Sequence, residues 1–550
     1  MQKPLVERIK KYVTLDAPFG PPDAYQIRDD EVAAHLFDPH SKSFNALLRN
    51  EISIMIGRRG SGKTALLSSY RYNRFFAKNS LLKSNSAGLD LKRYQIVIDV
   101  EVHKQFEGLW RLATGHSGFA RPIETVVQDW SDNILDFFLA KLYEQASRTG
   151  PGQKHLVQIG NYLFQSEESP RVRGLAIDHR DETPRIAARR LIWGETLWHK
   201  IRAIFPSDRF ESSGYVSQEV AMEAARFYLD ESRKKALLLL DSMDEYEVGN
   251  RLFDRTIAAL LRFTANFNST SDQIKIKLGL PSEIVHELRR ASANPLKDFV
   301  NYDLVNWTST ELLQIAAFRY RLFLQLYAPK IAEQLKQLDF HIRDDVWQFW
   351  ESFFSSAHVN HFGKEEAVIV YILRHTQLLP RQLFMMLQEI VVLNYARHGG
   401  YGRFLDEEVI EAIEKMNGQI AQEIFSAFSH VYSGAERVGR AIFAGFPTVF
   451  EYKDLETQWK RTARNYALHI NSSDNDMVDL VEMLLRIGIV GLVVDEGNRY
   501  VVGNFYYNAL MPPNIARGTT LCLHPIFSRY FKATFNRMGK AVLPKGIVID

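Results

Sequence analysis

The sequence predicts an α/β fold with a parallel β-sheet, followed by a helical domain and a smaller C-terminal domain of short strands and helices. Through roughly the first 300 residues, apolar runs typical of buried strands alternate with segments of helical periodicity. Beyond them, from about 309 to 421, leucine, phenylalanine and isoleucine recur at three- and four-residue spacing. Because strands that alternate with helices form βαβ units, the first region predicts a parallel sheet.

Four apolar runs predict the strands of this sheet, at 51–56, 94–100, 235–241 and 273–278. Helical periodicity follows three of them, at 64–77, 127–147 and 251–267. The alternation is lost between about 148 and 215, where Gly150-Pro151-Gly152 indicates a loop. We therefore expect an insertion at 148–215 within a core that extends over 45–308, after an N-terminal lead-in at 1–44.

The expected insertion is rich in arginine between 171 and 202, and two interpretations remain open. These arginines bind a partner or a polyanion, or they lie on a solvated helical face and pair with nearby carboxylates; the second interpretation is favoured. The arginines are Arg171, Arg173, Arg180, Arg185, Arg189 and Arg190, and the carboxylates are Asp178, Asp181 and Glu182.

The last third of the chain predicts the order helix, strand, two helices and two strands. These elements are expected at 435–444, 448–450, 454–467, 475–487, 489–494 and 499–503. The last two are joined by Asp-Glu-Gly-Asn, which is a good hairpin turn. This order is that of a winged helix, so we expect a helical lid domain at 309–425 and a winged-helix-like domain at 426–550.

The composition of the 550 residues is typical of a soluble, cytoplasmic protein of two or three domains. The net charge is only +3, which does not by itself indicate a nucleic-acid-binding protein. The single cysteine, Cys522, lies in an apolar stretch and is expected to be a buried, inert thiol that forms neither a disulfide nor a metal cluster. No uncharged apolar stretch approaches the roughly 20 residues that cross a bilayer, so we expect no membrane partner.

A phosphate-binding motif follows the first predicted strand. The residues Gly57, Arg58, Arg59, Gly60, Ser61, Gly62, Lys63 and Thr64 fit the pattern G-x-x-x-x-G-K-[ST] in full, and Ala65 continues into the predicted helix. Glycines allow backbone N–H groups to surround phosphate oxygens, and the start of the helix adds its dipole. Lys63 is expected to contact the β- and γ-phosphates, and the Thr64 hydroxyl to ligate Mg²⁺.

An acidic motif ends the strand predicted at 235–241. Four leucines precede Asp241, as a strand buried on both faces requires, and Asp244 and Glu245 follow. Ligands of open α/β sheets bind at the carboxyl ends of the strands, so Asp241 is expected to hold Mg²⁺ beside the phosphate-binding loop. Glu245 is the favoured residue to orient the attacking water, but the sequence does not separate it from Asp244. Together the two motifs predict a site that binds and hydrolyses a nucleoside triphosphate, and they leave the nucleotide base open. Zinc-protease and serine-hydrolase spacings are absent from the sequence.

With these motifs the chain resembles the STAND and KAP-like branch of P-loop ATPases, which belongs to the ASCE class and is related to AAA+ proteins. The resemblance covers about 45–400 and rests on the long gap between the motifs, on the form hhhhDxxDE at 237–245 and on the strand after it. It implies ATP and Mg²⁺ as cofactors, and a core followed by a helical lid and a winged helix.

The resemblance also implies roles for residues outside the two motifs. In that family the strand after the acidic motif ends in a polar sensor, and Ser282 is the nearby candidate here. Asn306-Trp307 resembles the entry to the lid. Arg381, at the start of a predicted helix, resembles the lid arginine that reaches the γ-phosphate, although a surface arginine is equally compatible. Arg289 and Arg290 resemble trans-acting arginine fingers of an oligomer, but exposed helix arginines are favoured.

The predicted reading helix at 475–487 argues against DNA as the main partner. It carries Asp476, Asp479 and Glu482, which would repel phosphates in a groove, and only Arg486 opposes them. Arg461 and Arg464, on the helix before it, keep nucleic acid open as a less favoured partner.

The favoured function is therefore a regulatory ATPase that controls a partner effector protein, as a homo- or hetero-oligomer. The resemblance implies a role in bacterial anti-phage defence. The alternative is a DNA-acting AAA+-like ATPase of the initiator, loader or transposition type, with its winged helix on duplex DNA. A nucleotide-dependent scaffold that binds ATP without turnover is the third hypothesis.

Overall fold

The computed structural model describes residues 3–27, 36, 52–69, 94–102, 122–146, 150–164, 197, 199–200, 216–241, 251–285, 301–355, 357–359, 365–462, 477–508, 515–534 and 539–547. Its first region contains the helices α1 (Lys3–Ile9), α2 (Lys63–Ser69), α3 (Ile123–Gln145), α4 (Gln153–Phe164), α5 (Gln218–Glu231) and α6 (Arg251–Thr270). It also contains the strands β1 (Ile54–Gly57), β2 (Ile96–Glu101), β3 (Ala236–Asp241), β4 (Ile274–Pro281) and β5 (Tyr302–Leu304).

These strands form one parallel sheet in the order β2-β3-β4-β1-β5. The parallel sheet predicted from the sequence is confirmed, and the four predicted strands are present with ends shifted by a few residues. The fifth strand, β5, was not predicted because it has only three residues and no apolar run. Strand β4 lies between β1 and β3, so one strand separates the loop after β1 from the acidic end of β3.

Helices cover the sheet and are continuous with its core. Helix α3 packs on α6 and on α5, and α4 packs on α5. Helix α4 lies within the insertion expected at 148–215. Its residues Leu156, Ile159, Tyr162 and Leu163 are buried and share one helical face, so this stretch is an ordinary amphipathic helix. The arginines between 171 and 202, in the expected insertion, lie outside the described residues.

The N-terminal segment packs into the protein core. Ile9, Val13 and Phe19 are buried, and the buried Arg319 holds this segment by donating hydrogen bonds to the backbone oxygens of Phe19 (3.0 Å) and Leu36 (2.8 Å). The Arg319 guanidinium also lies over the ring of Phe384, 4.2 Å from its centre. Burial lowers the pKa of Arg319 to about 9.

The predicted helices after 309 are present as α7 (Ser309–Tyr327), α8 (Pro329–Gln334), α9 (Arg343–Glu351), α10 (Val368–Arg374), α11 (Pro380–His398) and α12 (Asp406–Phe428). A two-stranded ribbon of β6 (His358–Val359) and β7 (Glu365–Glu366) lies between α9 and α10. Helix α7 begins with a capping box, in which Thr308 and Glu311 bond each other's backbone N–H groups. The ring of Tyr320 stacks on the ring of Trp350, at 6.1 Å between centres, and joins α7 to α9.

The C-terminal region contains the predicted order of elements and a larger sheet than predicted. Its helices are α13 (Ala435–Phe443), α14 (Tyr452–Thr462), α15 (Met477–Ile487) and α16 (Pro525–Tyr530). Its strands are β8 (Val449–Glu451), β9 (Val490–Glu496), β10 (Tyr500–Asn504), β11 (Thr520–Leu523) and β12 (Ala541–Pro544), in the order β12-β10-β9-β11-β8.

The predicted hairpin is present, since β9 and β10 pair antiparallel. Strand β11, which was not predicted, lies between β8 and β9 and separates the first strand of the expected winged helix from that hairpin. The winged-helix assignment therefore stays a prediction. Cys522 lies on β11 and is buried, which raises the pKa of its thiol. Within the described ranges, every helix is too short or too polar to span a bilayer.

We expect the substitution Arg319→Met to detach the N-terminal segment. It would leave two buried backbone oxygens without their donor, at a cost of about 1–3 kcal/mol each. Trypsin should then cleave after Lys10 or Lys11 faster than in the wild type, as followed by mass spectrometry. Arg343→Met changes an exposed arginine on α9 and is the matched control. Equal cleavage rates in the two variants would contradict the role given to Arg319.

Candidate functional site

The loop between β1 and α2 has a conformation that glycine permits. The φ angles of Gly60 and Gly62 are 81° and 89°, in the left-handed region where a residue with a Cβ atom is strained. These two positions are glycines of the sequence motif. The loop leads directly from a buried parallel strand into the start of a helix, where a phosphate group is favoured by backbone N–H groups and by the helix dipole.

Lys63 is buried in the first turn of α2 and reaches back across this loop. Its Nζ atom donates hydrogen bonds to the backbone oxygens of Gly57 (3.0 Å) and Arg58 (3.2 Å). The ammonium group thus lies inside the curve of the loop. Thr64 and Ala65 follow in the same turn and are partly buried.

Asp241, at the carboxyl end of β3, lies close to Lys63. Both side chains approach Gly279 of β4. A Cβ atom on Gly279 would lie 3.2 Å from Asp241 Oδ1 and 3.8 Å from Lys63 Cβ. The structure therefore brings together the two sequence motifs, although about 180 residues separate them. Gly279 was missed by the sequence analysis because a glycine within an apolar strand gives no signal of what lies beside it.

Arg381, at the start of α11, contacts the loop as well. Its backbone N–H lies 3.4 Å from the Gly60 oxygen, and a Cβ atom on Gly60 would lie 3.0 Å from Arg381 Cβ. The guanidinium forms an ion pair with Asp23 of the N-terminal segment, at 3.2 Å. The predicted lid arginine thus lies against the loop, with its charge directed to a carboxylate.

Trp307 covers the loop from another direction. Its indole Nε1 donates a hydrogen bond of 2.7 Å to the Ser61 oxygen, and the ring lies 3.7 Å from a Cβ atom built on Gly62. The residue directly follows β5 and precedes α7, so the connection into the helical region is fixed to the phosphate-binding loop.

Glu283 is a site residue that the sequence analysis did not identify. It follows Ser282, the predicted sensor, at the end of β4. Glu283 is only 3% exposed, and its Oε1 atom accepts a 2.8 Å hydrogen bond from the backbone N–H of Arg59. Its Oε2 atom is buried and has no hydrogen-bond partner within the described part of the chain. Its position two residues after an apolar strand was the one available signal.

A cavity of about 220 Å³ lies between the loop and the helices α11 and α12. Arg59, Glu283 and Arg381 line it together with Arg58 and Glu423, so charged groups of both signs face the space beside the loop. Four predicted site residues, Asp244, Glu245, Arg289 and Arg290, lie outside the described residues.

The Arg58 side chain leaves the loop on the side of the helical and C-terminal regions. Its guanidinium donates hydrogen bonds to the Gln377 side-chain oxygen and to the backbone oxygens of Arg486 (2.9 Å) and Ile487 (3.0 Å). The loop therefore contacts the core, the helical region and the C-terminal region at once.

No family model and no curated protein match the sequence. A search of solved structures finds similarity to the Orc1 protein of Aeropyrum pernix, whose structure was determined in complex with DNA. The alignment covers 90% of this chain and 92% of that chain, with 10% sequence identity and a TM-score of 0.30. The α/β assignment consequently rests on this protein's own parallel sheet and on the loop that follows β1.

We expect Gly279→Val to weaken nucleotide binding, because its side chain would press on Asp241 and on Leu67 of α2, the helix that begins with Lys63. Overpacking of this kind costs about 1–3 kcal/mol, which corresponds to a rise of about 5- to 150-fold in the Kd for Mg·ATP. Equilibrium binding of a fluorescent ATP analogue measures the effect. Gly418→Val, at an open position of α12, is the matched control. An unchanged Kd in Gly279→Val would show that the space beside Gly279 does not matter for binding.

Proposed function

We propose that this protein binds ATP with Mg²⁺ and hydrolyses it. The observation that carries the proposal is the placement of Lys63, within a loop of left-handed glycines, next to Asp241 at the end of the second motif strand. Lys63 would leave the backbone oxygens of the loop and contact the β- and γ-phosphates. Thr64 and Asp241 would hold Mg²⁺, directly or through water.

Positioning and charge stabilisation account for most of the catalysis of phosphoryl transfer, because little covalent chemistry is required of the protein. In the proposed reaction Glu245 orients the attacking water, and Asp244 is the alternative for this role. Arg381 would exchange its ion pair with Asp23 for the γ-phosphate, since its backbone already lies against Gly60. Glu283, with one buried and unbonded oxygen beside Arg59, is a further candidate to bind the water.

A regulatory role is supported by how many regions contact the loop. Trp307 bonds it at the entry to the helical region, Arg381 contacts it at α11 and Arg58 reaches α15. A change in loop conformation on nucleotide binding would act on all three. We therefore favour an ATPase whose nucleotide state controls a partner, and the resemblance to STAND and KAP-like ATPases suggests an effector protein, an oligomer and anti-phage defence.

The second candidate is a DNA-acting ATPase, and the burial of α15 bears on it. Leu480, Leu484 and Ile487 are buried, and Arg486, the basic residue of the predicted reading helix, is only 9% exposed. Of the acidic residues predicted on this helix, Asp479 and Glu482 are half-buried, Glu482 lies 3.6 Å from the Arg486 guanidinium, and Asp476 lies outside the described residues. A DNA-acting function would need α15 to leave its position, or another surface such as that of Arg461 on α14.

The third candidate, an ATP-binding scaffold, differs from the first in turnover alone.

Substitution of the motif residues separates hydrolysis from binding. We expect Glu245→Gln to retain ATP binding while its turnover falls by about 10²- to 10⁴-fold, as for loss of a general base. Lys63→Ala should lose binding, and Asp241→Asn should need a higher Mg²⁺ concentration for turnover because a carboxylate ligand of the metal is lost. Phosphate release and equilibrium ATP binding are measured side by side.

Asp244→Asn is the matched control for Glu245→Gln, because it removes the neighbouring carboxylate. Loss of turnover in this variant alone would move the role to Asp244. Wild-type binding that persists in Lys63→Ala would contradict the nucleotide site itself, and binding without turnover in the wild type would support the scaffold.

We expect the protein to bind duplex DNA weakly and without specificity. The acidic face of α15 repels phosphates, so fluorescence anisotropy with a labelled duplex should give a weak signal that falls steeply as salt is raised. Duplex DNA should leave the ATPase rate unchanged. Tight binding at physiological salt, together with DNA-stimulated turnover, would favour the DNA-acting candidate instead.

A further inference from the structure

The second residue of the phosphate-binding loop is anchored in the C-terminal region. Arg58 is 3% exposed, and its guanidinium contacts three acceptors: the side-chain oxygen of Gln377 and the backbone oxygens of Arg486 and Ile487. Phe428 and Tyr507 lie 5.2 and 5.6 Å from the guanidinium carbon, measured to the ring centres. Arg58 thus stands at a position that the motif leaves open, and its charge is among the most buried of the described residues.

The contact lies at the C-terminal end of α15, which is a favourable place for a cation. The last carbonyl groups of a helix lack intrahelical donors and carry the negative end of its dipole. Gly488, with φ of 78°, ends α15. The Gly488 N–H donates a hydrogen bond to the backbone oxygen of Leu485, and the Ile489 N–H donates one to that of Leu484. The Arg58 guanidinium donates hydrogen bonds to the backbone oxygens of Arg486 and Ile487. The Gln377 amide also donates to the Ile487 oxygen.

Burial makes the contact between Arg58 and α15 specific, because a buried guanidinium needs acceptors in fixed positions. Loss of hydration lowers the pKa of Arg58 to about 10, so the guanidinium is still charged at neutral pH. A buried charge that loses its acceptors is strongly unfavourable, and Arg58 therefore cannot leave α15 without either regaining water or finding another acceptor. The loop and α15 consequently have a small number of compatible arrangements.

The same residue takes part in the contact that a nucleotide would change. The backbone oxygen of Arg58 accepts a hydrogen bond from Lys63 Nζ, the group proposed to bind phosphate. A second connection runs through Glu283, whose Oε1 accepts from the Arg59 N–H and whose backbone oxygen lies 3.4 Å from an Arg486 guanidinium nitrogen. Arg486 also donates to the Tyr432 hydroxyl at 2.7 Å.

We propose that Arg58 couples nucleotide binding to the docking of α15, so that the nucleotide loosens the attachment of this helix to the core. The inference rests on the proposed function. When Lys63 turns to a phosphate, the Gly57 and Arg58 oxygens lose the lysine as a donor, and the Arg58 oxygen keeps the Ser61 N–H at 3.0 Å. The backbone that aims Arg58 at α15 is then held by fewer hydrogen bonds. Arg58 acts here as a positioning residue, through its contacts with the loop and with α15.

Linkage makes the coupling reciprocal: a ligand that weakens docking binds more tightly when docking is weakened by other means. Docking can be weakened from the far side, without a change in the loop. Gln377→Ala removes one acceptor of Arg58 and one donor to Ile487. Gly488→Ala adds a Cβ atom 2.7 Å from Gln377 Nε2 and 2.8 Å from a Tyr507 ring carbon, in addition to backbone strain.

The matched control for backbone strain is Gly445→Ala, where φ is 69° and no atom lies within 4 Å of the added Cβ. The full-length protein is titrated with a non-hydrolysable ATP analogue and Mg²⁺. We expect Gln377→Ala and Gly488→Ala to bind the analogue about fivefold or more tightly than the wild type, which is the lower range of allosteric coupling. Gly445→Ala should bind it as the wild type does.

Hydrogen exchange of the amides at 484–489 reports the stability of the end of α15, which docking on Arg58 should increase. In the wild type the analogue should speed exchange at Gly488 and Ile489, and in Gln377→Ala exchange should be fast with and without the analogue. Fast exchange in Gln377→Ala combined with an unchanged Kd would overturn the coupling and leave the proposed ATPase intact. A wild-type protein that binds no nucleotide would overturn both.

Discussion

The conformation of the loop between β1 and α2 constrains much of the remaining structure. Its turn requires glycines at 60 and 62, and it directs a buried lysine back over its own carbonyl groups. Because the loop is closed in this way, its outer surface is available to the rest of the protein. Trp307 and Arg381 contact that surface from the helical region, and Arg58 of the loop reaches the C-terminal region.

Two buried arginines join distant segments to the core by the same physical means. Arg319 bonds the backbone oxygens of the N-terminal segment, and Arg58 bonds those at the end of α15. In both cases backbone carbonyls and aromatic rings replace the lost hydration, and burial lowers the pKa of each guanidinium. They differ in location: Arg319 lies on α7, whereas Arg58 belongs to the loop expected to change on nucleotide binding. Arg319, which holds the N-terminal segment, and Arg58, to which we assign the coupling, therefore make their contacts by the same chemistry.

The docking of α15 also explains why its composition is unlike that of a helix that reads DNA. The apolar face and Arg486 are turned toward the core, and Asp479 and Glu482 are half-buried, with Glu482 3.6 Å from the Arg486 guanidinium. In the proposed coupling, the nucleotide would act on the position of α15 through the loop.

The sequence alone determined the parallel sheet, the motif loop and Asp241, because local rules of backbone conformation and burial decide these features. Tertiary structure decided the rest. Gly279 and Glu283 carry no local pattern, and Arg58 stands at a position of the motif that any residue can fill; the importance of all three comes from partners that lie close only after the chain has folded. Strands β5 and β11 were missed for the same reason, since short strands are stabilised by their neighbours rather than by their own residues.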